Sequence, residues 1–340
     1  IISMKKTLIA LAAVAVTGAA SAQEVTMYGV MDVNNYSTNV TTAAGVDAAS
    51  VTQYGATAAT AASSGMGSGG LSGSRWGIKG SEDIGGGLSA SFQLESSVTA
   101  STGASTGFTR TSSVGVAGGF GSVAAGVLYT PSFSVIGGSD IDATSGYATS
   151  NLHPAGVRSS GGFMYTSPKM GDLTAKIMIA NNASGLNDTT NAELTDVSLS
   201  YASGPLSVAV GISTAKGVTP AVALVAGGTA ANYVAAVAAT NTTTDGNVFG
   251  VSYDLGVAKI SLNTASAKRT NNLTAATTFK MTETNYGISV PMGAVSLVAG
   301  YGKNEITLGT AAGVSTNDTL IGANYRLSKR TDMYVRMSKT

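Results

Sequence analysis

The links between the alternating segments of this chain constrain its fold more tightly than any other feature. Apolar and polar residues alternate with a period of two over about fifteen candidate strands. These cover residues 25–36, 73–80, 87–97, 108–117, 121–130, 157–166, 172–181, 193–202, 205–214, 247–254, 257–266, 281–290, 294–303, 317–326 and 331–338. After every odd-numbered segment the link is long: 37–72, 98–107, 131–156, 182–192, 215–246, 267–280 and 304–316. After every even-numbered one it is short: "SEDIGG", "GGF", "SPKMG", "SG", "LG", "PMG" and "LSKR". Strict alternation of this kind predicts an antiparallel meander with tight hairpins at one end and large loops at the other.

The two faces of each strand show what surrounds such a sheet. Val197, Leu199 and Tyr201 alternate with Asp196, Ser198 and Ser200; Tyr286, Ile288 and Val290 alternate with Glu283, Asn285, Gly287 and Ser289. Leu88, Ala90, Phe92 and Leu94 alternate with Ser89, Ser91, Gln93 and Glu95. One face suits hydrocarbon and the other suits water. Strands of about ten residues suit a tilted bilayer crossing, and an open edge in hydrocarbon leaves backbone groups unpaired at several kcal/mol each. The predicted fold is therefore all-β, a transmembrane antiparallel β-barrel with short periplasmic turns and long external loops. Tyr165, Tyr201, Tyr253 and Tyr325 fall on the apolar parity just before short turns, as an interfacial girdle would. An even strand count is the rule, so about 16 strands are expected. The close at "YVRMSKT" reads as a chain whose last strand is missing.

Composition agrees. Charged residues make up 11% of the 340, with 44 Gly, no Cys and one His, whereas soluble domains carry roughly a quarter charged residues. "MKKTLIALAAVAVTGAASAQ", from Met4, has a basic start, a short apolar run and Ala20-Ser21-Ala22 before Gln23. It reads as a secretory signal peptide over 1–22, with Ile1–Ser3 an upstream remnant, leaving 23–340 as the barrel. Removing Lys5 and Lys6 from the 19 basic side chains leaves 17 against 18 acidic. That balance points to no nucleic-acid partner.

Residues for chemistry are scarce. His153 alone cannot build a histidine-based catalytic or metal site, and "GSEDIGGG" lacks the lysine–hydroxyl pair of a phosphate loop. No catalytic residue, metal or cofactor is assigned. Lys79, Glu95, Lys176, Lys259 and Glu283 share the polar parity and are expected to line a wet interior. Two other readings stay open: an adhesive or structural barrel with a plugged lumen, and an outer-membrane hydrolase. The stretch 221–240 reads as either a folded loop or an extra hairpin.

"SRWGIKGSEDIGGGLSASFQLES", "GGFGSVAAGVLYTPSF", "SSGGFMYTSPKMGDL", "YRLSKRTDMYVR" and the opening "EVTMYGVMDV" closely resemble the general porins of β-proteobacteria and Neisseria. The resemblance implies a homotrimer of barrels in outer-membrane lipid and lipopolysaccharide, each passing small hydrophilic solutes and ions. It implies that the third external loop, about 131–156, folds inward as a constriction. There Asp140 and Asp142 would face wall arginines, for which Arg75, Arg110 and Arg158 are the candidates. Parity places Arg75 and Arg158 on the lumenal face. Arg110 shares parity with Val114 and Val116 and needs a bulge or a rim position to reach the bore. Val127 stands where the family often carries another arginine, so only a weak anion preference is expected.

Overall fold

A computed structural model describes residues 24–38, 63–142, 152–181, 193–219, 240–310 and 313–339. The leader 1–22 and all but the last residue of the stretch 221–240 lie outside the described residues. Among those described, no helix is long and apolar enough to cross a membrane.

The strands are β1 (Glu24–Val30), β2 (Val33–Thr38), β3 (Ser63–Ser68), β4 (Arg75–Gly85), β5 (Leu88–Ser97), β6 (Thr111–Gly118), β7 (Gly121–Tyr129), β8 (Arg158–Thr166) and β9 (Leu173–Asn181). They continue as β10 (Glu193–Ser203), β11 (Leu206–Thr219), β12 (Thr240–Asp254), β13 (Lys259–Asn271), β14 (Ala276–Met292), β15 (Val295–Leu308), β16 (Val314–Ser328) and β17 (Thr331–Lys339). Fifteen of them form one antiparallel sheet in the order β1-β4-β5 and then each successor to β17, while β2 and β3 pair separately. Every neighbour after β4 is also the next strand in sequence, which is the meander the links demand. The expected segment 25–36 is broken at residues 31–32, and β3 arises inside the expected loop 37–72. At the break Asp32 is tied to the following loop: its carboxylate accepts from the Leu71 and Ser72 amides at 2.8 and 2.7 Å, its carbonyl accepts from the Gly69 amide at 3.0 Å, and its amide donates to the Ser74 hydroxyl at 2.9 Å.

The sheet is wrapped so that its two edge strands approach. The Tyr334 hydroxyl on β17 donates to the Asp32 carboxylate just after β1 at 2.7 Å. Short turns rest on local chemistry. In "DLG" between β12 and β13, the Asp254 carboxylate accepts from the Gly256 amide at 2.8 Å and Gly256 takes φ 79°, a region open chiefly to glycine. On the long-loop side β11 to β16 run several residues beyond their predicted ends. Their outward positions there turn polar, with Lys280, Thr282 and Thr284 following above Tyr286 on β14.

Alternation fixes the faces. Val197 and Leu199 are outward while Asp196 and Ser198 are buried. Tyr201, Tyr253 and Tyr325 are exposed on the outward face near the short turns. Phe92 pairs with Gly80 and Val114 on that same face, whereas Glu95 pairs with Gly77 inside. Within the bore lies α1 (Pro131–Ser139), the first limb of the third loop. Its Val135 and Ile136, with Leu152, pack on Val248, Ala265, Ala267, Phe279 and Met281 of the inner wall.

Candidate functional site

The bore has two unlike walls. The first is built from β1 and β4 to β8 and holds guanidinium groups. Glu95 pairs across β4 with Gly77, which pairs in turn with Tyr28 of β1. The Glu95 carboxylate accepts from Arg110 Nε at 2.7 Å and from the Tyr28 hydroxyl at 2.9 Å, and Arg75 Nε stands 3.6 Å away. Gln93 donates to the Tyr28 hydroxyl at 2.6 Å, and Lys79 Nζ lies 5.7 Å from the centre of the Tyr28 ring. Arg75 is held further by the Ser72 hydroxyl and the Gly73 carbonyl, at 3.1 and 2.8 Å. Arg110 precedes β6, and its amide donates to the Glu95 carbonyl at 3.1 Å. It reaches the inner face from outside the strand, although Val114 and Val116 share its parity.

Arg158 arrives by a different route from its parity. The register between β7 and β8 shifts between Gly126 and Leu128, because β8 carries one extra residue beside Gly161, whose φ is 61°. That bulge pairs Ser159 with buried Leu128 and Arg158 with Tyr129. The Arg158 guanidinium then stacks 4.1 Å over the Tyr129 ring and donates to its hydroxyl. Arg110 Nη2 meets the same hydroxyl at 3.4 Å. Tyr129 thus joins Arg158 to the Arg75–Glu95–Arg110 cluster: two guanidinium groups at one carboxylate, with a third linked to them through a phenol.

The other wall, β10 to β14, carries the inward loop, and β17 meets the loop's Asp142 from beside β1. Thr130 caps α1 by accepting from the Phe133 amide at 3.3 Å, and Pro131 starts the helix with a preset φ. The Thr130 hydroxyl also donates to the Gly156 carbonyl at 2.7 Å, drawing the two ends of the loop together. On β10, Asp196 accepts from the Ser132 amide and hydroxyl at 2.9 and 2.6 Å. On β14, Glu283 accepts from the Leu152 amide at 2.9 Å and from Asn285 at 2.6 Å. Bare backbone makes room for the loop, since a Cβ at Gly246 would stand 2.2 Å from the Pro154 side chain, and one at Gly287 2.6 Å from Ile141.

The residues singled out from sequence divide between these walls. Arg75, Arg110, Arg158 and Lys79 stand on the basic wall with Glu95. Lys176 is half-buried on the inner face opposite Ser198, and Lys259 is exposed opposite Asp254 near a short turn. Glu283 keeps its inward parity, but it is fully buried beneath Leu152 and holds the loop where water was expected. The Asp140 carboxylate accepts from the Asp142 amide at 3.1 Å. Asp142 ion-pairs with Arg336 of β17 at 2.6 Å. Arg336 and Tyr129 escaped the sequence reading, and Asp196 was placed on the polar face without a role. Alternation marks Arg336, since Asp332, Tyr334 and Arg336 oppose Met333, Val335 and Met337. Nothing in the sequence joins Arg336 to the loop.

Comparison with known proteins meets this geometry. The family described as Gram-negative porin matches residues 7–339. Outer membrane porin protein 32 of Delftia acidovorans is 29% identical over 349 residues, covering 97% of this chain and 88% of its own. An outer membrane porin protein of Bordetella pertussis is 30% identical over 370 residues, covering 97% and 93%. Among solved structures, the anion-selective porin from Comamonas acidovorans is similar with a TM-score of 0.74 at 24% identity, covering 93% of this chain and 88% of that one. OmpT of Vibrio cholerae in its trimer form is similar with a TM-score of 0.68 at 16% identity, covering 94% and 89%.

Proposed function

The chain belongs to the Gram-negative porin family, and from that premise we propose how its bore selects among solutes and how it assembles. As a porin of the bacterial outer membrane it is a channel for passive diffusion of solutes across that membrane. The family and the relatives point to a channel rather than an enzyme; passage needs only a wet bore and a gradient.

In the reading proposed here, residues 23–340 form the barrel behind a cleaved leader, and 131–156 form its constriction. The bore prefers small anions weakly. One observation carries this: Arg75 and Arg110 meet the carboxylate of Glu95, Arg158 joins them through the Tyr129 hydroxyl, and Lys79 lies beside Tyr28 on the same wall. A wall with cations in excess raises the local concentration of anions and lowers that of cations. On the loop-bearing wall Asp196 and Glu283 are buried in hydrogen bonds, so they add little negative field to the water path. The assembly proposed is a homotrimer, one bore per barrel, set in lipid and lipopolysaccharide through the outward Val, Leu, Met and Tyr faces.

Reversal potential across a planar bilayer in a salt gradient tests the selectivity. The wild type should favour chloride over potassium by about twofold, and the preference should fall at high salt as screening sets in. Arg75→Ala with Arg158→Ala should carry the reversal potential toward the cation side. An unchanged value would remove these side chains from the selective region. Cross-linking in native membranes should give three-chain products, and a ladder ending at one chain would overturn the trimer.

A further inference from the structure

Arg336 is committed to the loop, to its own strand and to the neighbouring β16 by every nitrogen of its guanidinium. Nε lies 3.1 and 3.0 Å from the two Asp142 carboxylate oxygens, and Nη2 lies 2.6 Å from one of them. Nη1 donates to the carbonyls of Ala323 and Val335 at 3.2 and 2.9 Å. The two side chains are 1% and 2% exposed. The stem lies flat because Gly322 faces it, where a Cβ would stand 2.6 Å from Arg336 Cδ. This ion pair is hidden from water inside a protein whose function is to hold water.

Among its described residues the loop has two other polar pins to the wall, and both run the other way. At Asp196 and Glu283 the wall supplies the acid and the loop supplies neutral donors, Ser132 and the Leu152 amide. At Asp142, by contrast, the loop brings the charge and the wall the cation. Next to it, Ile141 rests against the backbone of Gly287. A buried carboxylate whose partner is removed is strongly destabilised where it lies. Its remedy is to move into water, and the nearest water fills the bore.

We propose that Arg336 is a positioning residue that sets the aperture, latching the Asp140–Asp142 corner of the inward loop to the β14–β17 wall so that the open channel is steady. The proposal rests on the channel reading and adds a residue from the last strand to the parts that shape the constriction. Breaking the latch frees a charged corner of the loop to enter the solute path, and the open current then flickers.

Single-channel recording on Arg336→Ala and on Asp142→Asn separates latching from charge. One variant removes a positive and the other a negative group, so a purely electrostatic role moves their reversal potentials in opposite directions and leaves the open level quiet. A latch makes both variants flicker, with closing events at least about tenfold more frequent than in the wild type. The exchange Arg336→Asp with Asp142→Arg should restore steadiness. A second readout needs no current. Ile141→Cys, in a chain without cysteine, should react with a water-soluble maleimide at least about tenfold faster once Arg336→Ala is added. Faster labelling supports the latch even if reconstituted protein passes no current, an outcome that would overturn the channel reading alone. Unchanged labelling, or quiet currents in both single variants, overturns the latch.

Discussion

Glu95 and Glu283 are both inward carboxylates on barrel strands, and they serve different ends. Glu95 meets two guanidinium groups, and a third joins them through Tyr129, which keeps an excess of positive charge beside the water path. Glu283 faces the Leu152 amide and Asn285 under a sheet of apolar contacts. Parity alone equates the two. The inward loop separates them: where it lies on the wall, polar groups become pins, and where it leaves the wall bare, they remain part of the channel.

The largest expected effect breaks that contrast at its buried end. Glu283→Ala strands the Leu152 amide and the Asn285 side chain without water, and should cost about 2–4 kcal/mol. Lys79→Ala on the basic wall should cost less than about 0.5 kcal/mol. Urea midpoints of the refolded barrel measure both. Equal shifts would erase the distinction between pins and channel groups.

Acid should act on the loop side as well. Burial pushes the His153 imidazole down from the usual value to about 4. Its ring meets the edge of Phe133 at 5.1 Å, and Nδ1 is buried without a partner among the described residues. Between pH 6.5 and about 4 the unfolded chain carries a proton that the folded chain refuses. The unfolded state binds more protons, so stability falls as pH drops through that window. The full loss, reached below about pH 4, is about 3 kcal/mol. Amide exchange at loop positions beside His153 should quicken over that range. His153→Gln should flatten this part of the response, and a profile that stays steep in the variant would place the titration elsewhere.

Much of this molecule was legible because period two and turn chemistry are local. Each strand from β4 to β17 contains most of an alternating segment, though β11 to β16 overrun theirs on the long-loop side, and "DLG" names its own turn. Arg158 shows where locality fails. "RSSGGFMYT" counts its arginine onto the lumenal face, but one extra residue beside Gly161 reverses the parity. A Gly-Gly pair in a strand warns of a bulge without saying on which side of it the register changes. The seat of the loop left a signal that went unread: Phe279 and Met281 sit on the inward parity of β14, and apolar groups facing a wet bore demand a cover. Arg336 was readable as inward. Its partner lies 194 residues away in sequence, and no local rule spans that distance.

The smallest effect tests the cover itself. At Gly250 on β12 an added Cβ would stand 2.2 Å from the Ser139 hydroxyl and 2.7 Å from Ser139 Cβ, with the Val135 carbonyl at 3.1 Å. Neither the strand backbone nor α1 can yield without moving the helix away from the wall. Overpacking of this size costs about 1–3 kcal/mol, part of which is recovered as the helix shifts. The shift has one direction open to it, into the bore, so Gly250→Ala should lower single-channel conductance while leaving the sign of the reversal potential alone. Gly119→Ala, in the exposed turn between β6 and β7 with nothing within 4 Å of the added carbon, is the matched control and should leave conductance as it was. If Gly250→Ala matched that control, α1 would not be seated against β12, and the division of the bore into a bare wall and a covered one would fail at its centre.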